Sequence, residues 1–214
     1  MAAHCGKGDG PPSPFFVPLH VTRFLKRDSL KGMTMSSLET DRLLLRPPAA
    51  ADVPFLTSGL SDFAIAKNLS TAPHPYGEAD AAEFIARVTK ARAMGEGWCY
   101  VIVVKATDTP VGCCGLHLKD GRVELGYWIA QPFWNQGYAS EAARRLLAFG
   151  FGVVKAEAVE AGWFHDNAAS GRVLAKLGFT ATHVEPWPCR ARGEAVLCNR
   201  AVLTRANFGR KKAA

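Results

Sequence analysis

The chain has 214 residues, of which 48% are hydrophobic, and this length and composition predict one folded domain with its own core and exclude wholesale disorder. The formal net charge is +7, but residues 1–35 and 205–214 carry nine of the 26 Lys/Arg residues and two of the 19 Asp/Glu residues, so the part between them is formally neutral. This distribution gives little support to nucleic-acid binding by the domain itself, although the basic tails are able to contact RNA or an acidic partner.

The six cysteines form neither a Cys-x-x-Cys pair nor a Cys/His cluster at zinc spacing. We therefore interpret them as reduced thiols and expect no metal site. Most lie in apolar runs, where cysteine serves as a small hydrophobic residue. No apolar run reaches the roughly 20 residues that cross a bilayer. These features predict a cytoplasmic protein without a membrane partner.

Residues 1–35 mix Gly, Pro, Lys and Arg without a sustained period. They lack the apolar core and the cleavage site of a secretory signal, and prolines break the helical pattern of a transit peptide. Met33 and Met35 stand directly before the first patterned strand. We expect either a disordered tail or an extension upstream of the true translation start. The domain is predicted at 36–205, followed by a basic tail at 206–214.

The spacing of Leu38, Leu43 and Leu45 predicts a half-buried strand that ends at Pro47-Pro48. Three helices are predicted next, at residues 52–60, 62–69 and 78–94, with a loop at 71–77. In the third helix the apolar residues recur on one helical face. Gly95 and Gly97 end it.

Strands are then predicted at 98–106, 111–118 and 122–130, separated by Asp-Thr-Pro and Asp-Gly turns typical of antiparallel hairpins. They are followed by a helix at 139–151, a strand at 156–163, and a helix at Ala168–Leu177 that Gly178 ends. Two further strands, at 180–184 and 195–204, flank a proline-rich loop at 185–193. This order predicts a single α/β (α+β) domain with a mixed, mostly antiparallel central sheet flanked by helices.

A strand, a glycine-containing turn and a helix N-terminus follow one another between Val123 and Ala143. Gly137 frees the backbone of the turn, and the helix offers the N–H groups of its first turn beside the positive end of its dipole, which favours a phosphate group. Taken alone, such a turn often only connects two elements. It is neither a P-loop nor a dinucleotide-binding fingerprint, because the Gly-Lys-Ser/Thr and two of the three glycines are missing.

Asn167 and Ser170 lie where the strand predicted at 156–163 leads into the next helix. One interpretation of Asn167 is an ordinary helix N-cap. The end of a central strand is also where α/β folds tend to bind ligands.

Four motifs occur in order. They are Glu39-Thr-Asp-Arg-Leu-Leu-Leu-Arg46, Leu125-Gly-Tyr-Trp, Trp134-Asn-Gln-Gly-Tyr-Ala-Ser-Glu-Ala and Asn167-Ala-Ala-Ser-Gly-Arg-Val-Leu-Ala-Lys-Leu-Gly-Phe179. Together they resemble the GCN5-related N-acetyltransferase (GNAT) superfamily, and most closely its ribosomal-protein N-terminal acetyltransferases of the RimJ/RimL type. The resemblance extends from residue 37 to about residue 204.

The resemblance implies a GNAT-like fold and transfer of an acetyl group from acetyl-CoA, used as a co-substrate without a metal, to a primary amine. In the family the turn donates N–H groups to the CoA pyrophosphate, the preceding strand lies along the pantetheine arm, and the Asn hydrogen-bonds that arm or a water molecule. The cofactor-binding residues implied here are Trp128, Ile129, Trp134, Asn135, Gln136, Gly137, Tyr138, Ala139, Ser140 and Asn167.

Acetyl transfer to an alkylammonium requires removal of a proton before attack and stabilisation of the thiolate that leaves. Glu124 is the candidate base, and the alternative for it is an exposed strand glutamate. The tyrosine that the wider superfamily uses as acid is replaced by Leu174. Ser170 is the substitute that the resemblance implies, and the alternative for it is an ordinary first-turn serine. A backbone N–H near Ile129 is a candidate donor to the oxyanion.

The predicted function is acetylation of a primary amine, with the N-terminus of a protein or peptide as the favoured acceptor. The alternatives are a small-molecule acceptor, such as a polyamine, amino acid or aminoglycoside, and a non-catalytic acyl-CoA-binding domain. Acceptor choice is assigned to residues 52–94 and 185–193, whose shapes the sequence does not give. The sequence also does not determine the oligomeric state, and a homodimer is one of the alternatives.

Overall fold

The computed structural model of the chain describes residues 37–119 and 121–210. The tail predicted at 1–35 and the last four residues of the chain lie outside this part. The strands are β1 (Leu38–Glu39), β2 (Leu43–Arg46), β3 (Gly97–Val104), β4 (Thr109–Lys119), β5 (Arg122–Ile129), β6 (Ala158–Phe164), β7 (Thr180–Cys189) and β8 (Glu194–Thr204). The α-helices are α1 (Val53–Ser61), α2 (Phe63–Ala66), α3 (Glu78–Ala93), α4 (Tyr138–Gly152) and α5 (Ala168–Leu177).

The strands of the described chain form one sheet in the order β1-β2-β3-β4-β5-β6-β8-β7. Every neighbouring pair is antiparallel except β5 and β6, which are parallel. The predicted meander of β3, β4 and β5 is confirmed, with Cys114 of β4 lying between Tyr100 and Tyr127. The predicted α/β fold with a mixed, mostly antiparallel sheet flanked by helices is therefore confirmed.

The alternation of side chains along the strands gives the sheet two faces. We call them the α4 face and the α1 face, after the helices that cover them. The main core lies on the α4 face and includes Leu116, Leu125, Leu146, Val159 and Leu174. A smaller core lies on the α1 face, where α1 and α3 cover part of the sheet, and it includes Leu56, Leu60, Ala81, Val101 and Cys113. The side chains of β5 alternate between these two faces, so that Leu125 belongs to the main core and Trp128 packs against the smaller core.

The predicted first strand is confirmed at Leu43–Arg46, directly before Pro47-Pro48, but it is not continuous with Leu38, because a turn divides it into two short strands. Thr40 forms a turn in which its N–H donates to Leu43 O at 2.9 Å and its Oγ1 accepts from Leu43 N at 2.8 Å. The turn reverses the chain, so that Leu38 pairs with Leu45. A threonine side chain that satisfies a nearby backbone N–H favours such a turn.

The proline-rich loop predicted at 185–193 is also wrong over its first half, because β7 continues to Cys189. β7 is the last strand of the sheet and has one open side. Pro186 and Pro188 lie two residues apart, so their nitrogens point to the same side. Proline is tolerated in an edge strand where the missing N–H points to solvent. The helix predicted at 62–69 is shorter than expected and covers Phe63–Ala66.

The cysteines of the described chain are free and buried, which confirms their interpretation as small hydrophobic residues there. Burial raises the pKa of Cys99 to about 12. No helix of the described residues is long and apolar enough to cross a membrane. These residues also contain no group of three or more His, Cys, Asp or Glu side chains arranged to hold a metal ion.

Candidate functional site

The sheet opens between β5 and β6. Within the described residues the two strands pair at Val123 with Val159 and at Glu124 with Glu160, and β5 then continues to Ile129 with no partner on that side. On its other side β5 remains paired with β4 to its end. The result is a gap in the pairing of the sheet that begins after Glu124 and extends to the C-terminal end of β5.

Backbone N–H groups of β5 point into this gap. Ala130 N donates to Val111 O, on the side of β4. Because successive residues of a strand point their N–H groups to opposite sides, the N–H groups of Tyr127 and Ile129 point away from β4. The prediction of a free N–H near Ile129 therefore has a geometric basis, although its role stays a prediction.

The loop that follows β5 leads directly into α4. Gly137 has φ +80° and Asn135 has φ +61°, so the chain is left-handed at both residues. In the described chain, the N–H groups from Gln136 to Ser140 donate to no other protein group. They lie at the N-terminus of a 15-residue helix. Free N–H groups at the positive end of a long helix form a suitable site for an anion.

Side chains of the first strands hold this loop in place. Arg42 Nη2 donates to Gln136 O at 3.2 Å and forms an ion pair with Glu141 Oε2 at 2.6 Å. Thr40 Oγ1 also donates to Glu141 at 2.6 Å. Burial opposes the charge of Glu141, but the hydrogen bonds from Thr40 and Arg42 outweigh it and lower the pKa of the carboxyl group. The other side of the loop is fixed by Trp134, whose Nε1 donates to Ile129 O at 2.7 Å.

Asn167 and Ser170 lie across the gap, at the N-terminus of α5. Asn167 is the N-cap of this helix, and its Oδ1 accepts from Ser170 N at 3.1 Å. This bond occupies Oδ1 and leaves the side-chain NH₂ group for another acceptor. Ser170 Oγ lies 2.9 Å from the hydroxyl of Tyr127 on β5. The structure therefore brings Asn167, Ser170 and the unpaired part of β5 together.

Glu124 lies on the α1 face at the start of the gap, where Arg200 of β8 holds it. Arg200 Nη1 donates to Glu124 Oε1 at 2.8 Å. The Arg200 side chain is 8% exposed, whereas that of Glu124 is 36% exposed. Burial opposes the charge of Arg200, but the hydrogen bond to Glu124 offsets this and raises the pKa of the guanidinium. Glu160 and Glu185 also form ion pairs with Arg200, at 3.5 and 3.4 Å.

Trp128 lies on the same face as Glu124, with Gly126 between them. The Trp128 ring stacks on Phe55 of α1, with centroids 5.5 Å apart, and its far edge leaves no room for a side chain at Gly59. The Trp128 ring is therefore held in one position by its neighbours on the α1 face, and only the Trp128 backbone borders the gap. A Cβ atom at Gly126 would meet no atom within 4 Å. An open space therefore lies over Gly126 between a carboxylate and a rigid aromatic ring.

His117 is the direct neighbour of Glu124 on β4 and shares its face. Burial, together with the charge of Arg87, lowers the pKa of the imidazole, and Glu124 opposes this shift. The ring is therefore neutral near neutral pH. It is a second group on this face that is able to accept a proton.

A protein-family model described as an acetyltransferase (GNAT) domain matches residues 42–180 of the chain. The chain belongs to this family. The matched segment contains the gap, the loop at the start of α4, Asn167 and Ser170. The protein is thus an acetyltransferase.

Individual relatives agree with this assignment. The "Uncharacterized N-acetyltransferase p20" of Bacillus licheniformis is 31% identical over 148 residues, which cover 68% of this chain and 83% of that protein. The fold is similar to that of RimL, a ribosomal L7/L12 alpha-N-protein acetyltransferase solved with CoA, with a TM-score of 0.70, 17% identity, and coverage of 79% of this chain and 98% of that one. It is also similar to Mycobacterium smegmatis RimJ solved with CoA-disulfide, with a TM-score of 0.70, 17% identity, and coverage of 79% and 85%.

Sequence patterns did not identify every residue that borders the candidate site. Arg200, Tyr127 and His117 were missed as side chains with a role. The sequence contained a signal for Arg200, because it is the one charged residue in the mostly apolar run 195–203. A charged residue at an inward position of such a strand requires a partner.

Proposed function

We propose that this acetyltransferase transfers the acetyl group of acetyl-CoA to a primary amine, with the N-terminus of a protein or peptide as the favoured acceptor. One observation carries the proposal: the gap beside β5 leads straight to the loop of free N–H groups at the start of α4. A long, narrow thioester with a diphosphate at one end matches a strand-like gap that ends in an anion site. The favoured acceptor rests on the likeness to RimL and RimJ.

The pyrophosphate would lie against the N–H groups of Gln136 to Ser140. The pantetheine arm would lie in the gap, within reach of the N–H groups of Tyr127 and Ile129 and the NH₂ group of Asn167. These groups match the amide and phosphate chemistry of CoA. Of the predicted cofactor residues, Trp128 would contribute by packing, because its ring stacks on Phe55, and the half-exposed Trp134 would contribute through its hydrogen bond to Ile129 O.

When bound, acetyl-CoA supplies an activated acyl carbon and a thiolate leaving group. We place the acceptor amine in the open space over Gly126, beside the start of the gap. Glu124 would take the proton of the ammonium through the oxygen that Arg200 leaves available. The three carboxylates around Arg200 favour a cationic acceptor on this face. Ser170, on the other side of the gap, would donate a hydrogen bond to the departing sulfur.

The experiment uses calorimetry with acetyl-CoA and a thiol-release assay on a panel of peptide N-termini, polyamines, amino acids and aminoglycosides. We expect acetyl-CoA to bind and peptide amines to be the best substrates. If only small amines are acetylated, the acceptor is a small molecule and not a protein or peptide N-terminus. Binding without turnover on any amine would favour a non-catalytic acyl-CoA-binding domain, and absence of binding would overturn the proposal.

Two variants of Gly137 test the pyrophosphate site. Asn and Asp have the same size and both tolerate a positive φ, so they differ mainly in charge. A Cβ atom at Gly137 would lie 3.5 Å from Arg42 Nη2. We expect Gly137→Asp to weaken acetyl-CoA binding several-fold relative to Gly137→Asn, because it adds a negative charge beside the diphosphate that Arg42 offsets only in part. Equal affinities of the two variants for acetyl-CoA would show that the pyrophosphate does not bind at this loop.

A further inference from the structure

Tyr127 spans the gap and contacts α5. It projects from the α4 face of β5, where its ring packs against the main core. Its hydroxyl lies 2.9 Å from Ser170 Oγ and 3.3 Å from the carbonyl oxygen of the same residue. The contact joins the unpaired part of β5 to the first turn of α5.

The groups around Ser170 restrict the direction of its hydroxyl hydrogen. Ser170 N donates to Asn167 Oδ1, so the first turn of α5 is fixed. The phenol of Tyr127 has one hydrogen, and Ser170 Oγ is the nearer of its two acceptors. When the phenol donates to Oγ, the single hydrogen of the Ser170 hydroxyl is released from that contact and is free to point into the gap.

Tyr127 keeps its hydrogen under the conditions of catalysis. Burial raises the pKa of the phenol to about 12, and the hydrogen bond with Ser170 opposes this only in part. The phenol is therefore a protonated donor at neutral and mildly alkaline pH. It is thus able to donate to Ser170 Oγ over the whole working range.

We propose that Tyr127 is a positioning residue that turns the hydroxyl hydrogen of Ser170 towards the sulfur of the bound thioester. The inference rests on the proposed function, because it takes the gap as the place of the pantetheine arm. In the reaction the N–C bond forms, the C–S bond breaks with its electron pair on sulfur, and the ammonium releases one proton to Glu124 and one to solvent. Ser170 donates a hydrogen bond to the sulfur while Tyr127 donates to Ser170 Oγ, and both keep their protons.

A binding experiment tests the proposal without turnover. CoA and desulfo-CoA, which lacks the sulfur, are titrated by calorimetry into the wild type and Tyr127→Phe from neutral pH to about pH 9, where thiols ionise. The wild type should prefer CoA more strongly as the thiolate forms. Tyr127→Phe should lose up to about tenfold of this preference, because the hydroxyl hydrogen of Ser170 is no longer directed at the thiolate and this hydrogen bond to a charged group weakens, and should keep its affinity for desulfo-CoA.

The matched control is Tyr76→Phe. The Tyr76 phenol is also buried, but its hydroxyl has no hydrogen-bond partner among the described residues. This variant should keep the wild-type preference for CoA. A Tyr127→Phe protein with the wild-type preference, or with equal losses for CoA and desulfo-CoA, overturns the inference, because the hydroxyl would then have no role towards the sulfur.

A kinetic cycle gives a second readout. If Tyr127 acts through Ser170, then Tyr127→Phe lowers kcat when Ser170 is present. The same substitution has no further effect on kcat when it is combined with Ser170→Ala. Additive effects overturn the inference. Absence of CoA binding by the wild type overturns the proposed function and the inference together, whereas normal wild-type binding with an unchanged preference in Tyr127→Phe overturns the inference alone.

Discussion

Gly126 shows how one missing side chain can define a binding site. It lies in a central strand, where a side chain usually has close neighbours, yet a Cβ atom there would contact nothing within 4 Å. Glu124 and Trp128 flank it on the same face of β5, and both are held by other elements. The space is therefore bounded by fixed groups, which makes it suitable for selecting an acceptor.

Gly126→Val should fold normally, because the added methyl groups enter open space and valine favours a strand. We expect the KM for the amine to rise roughly tenfold, while the Kd of acetyl-CoA stays unchanged. Gly152→Val is the control, since a Cβ at Gly152 also meets nothing within 4 Å and lies at the end of α4. A Gly126→Val variant with unchanged amine kinetics would show that the acceptor binds elsewhere.

Alternation along β5 correctly placed Glu124 and Trp128 on one face, because that pattern is local. The partner of Glu124 was not predictable in the same way. Arg200 lies 76 positions away and reaches Glu124 only because β8 inserts next to β6. Likewise, the N-cap role of Asn167 follows from local chemistry, but the approach of Ser170 to Tyr127 depends on how α5 packs across β5.

At the scale of elements, an ion pair joins β2 to the start of α1. Arg46 donates to both carboxylate oxygens of Asp52, at 2.6 and 2.8 Å, and Ala49 N donates to the same group at 2.7 Å. The Asp52 side chain is 4% exposed. Burial raises the pKa of this carboxyl group, but the hydrogen bonds from Arg46 and Ala49 outweigh burial and lower it.

Asp52→Asn should therefore reduce the free energy of unfolding by about 2 kcal/mol at neutral pH, since Arg46 loses its partner but remains partly hydrated. A carboxyl group with a lowered pKa in the folded state stabilises the fold above its ordinary pKa, and this stabilisation is lost as the pH falls through the lowered value. The difference between wild type and variant should shrink below about pH 4.

Urea unfolding at several pH values measures this difference. Asp41→Asn, at an exposed carboxylate, is the control and should show no comparable change. A constant difference between wild type and Asp52→Asn down to low pH would mean that the carboxylate charge does not contribute.

Predictions of elements succeeded where the pattern is long and periodic. The apolar positions of α4 are an example, because Ala142, Ala143, Leu146 and Leu147 are fully buried as expected. They failed where the outcome depends on position in the sheet. Pro186 and Pro188 indicated a loop, and only the place of β7 at the open edge makes a strand with two prolines acceptable.

At the scale of the whole molecule, the positive charge lies mostly outside residues 37–210. Residues 37–210 contain 19 Lys/Arg and 17 Asp/Glu residues, so their net charge is +2 compared with +7 for the full chain. Long-range attraction to polyanions depends on net charge and its distribution. Acetyl transfer depends on groups within the domain.

A chain of residues 37–210 should therefore elute earlier from heparin than the full chain and keep its kcat/KM with acetyl-CoA and amine. Chromatography and steady-state kinetics measure the two properties separately. The full chain in high salt is the control, because salt screens the attraction of exposed charges. Equal retention of the two chains would place the polyanion-binding surface within the domain.

The gap between β5 and β6 also bears on how the molecule avoids unwanted association. Strand edges at the rim of a sheet invite pairing with other chains, and this protein has an additional edge in its middle. That edge lies between two parts of one sheet, and α4 and α5 pack against the strands on its two sides. If the gap receives acetyl-CoA as proposed, the pantetheine arm with its own amide groups would complete the sheet as an additional, non-protein strand.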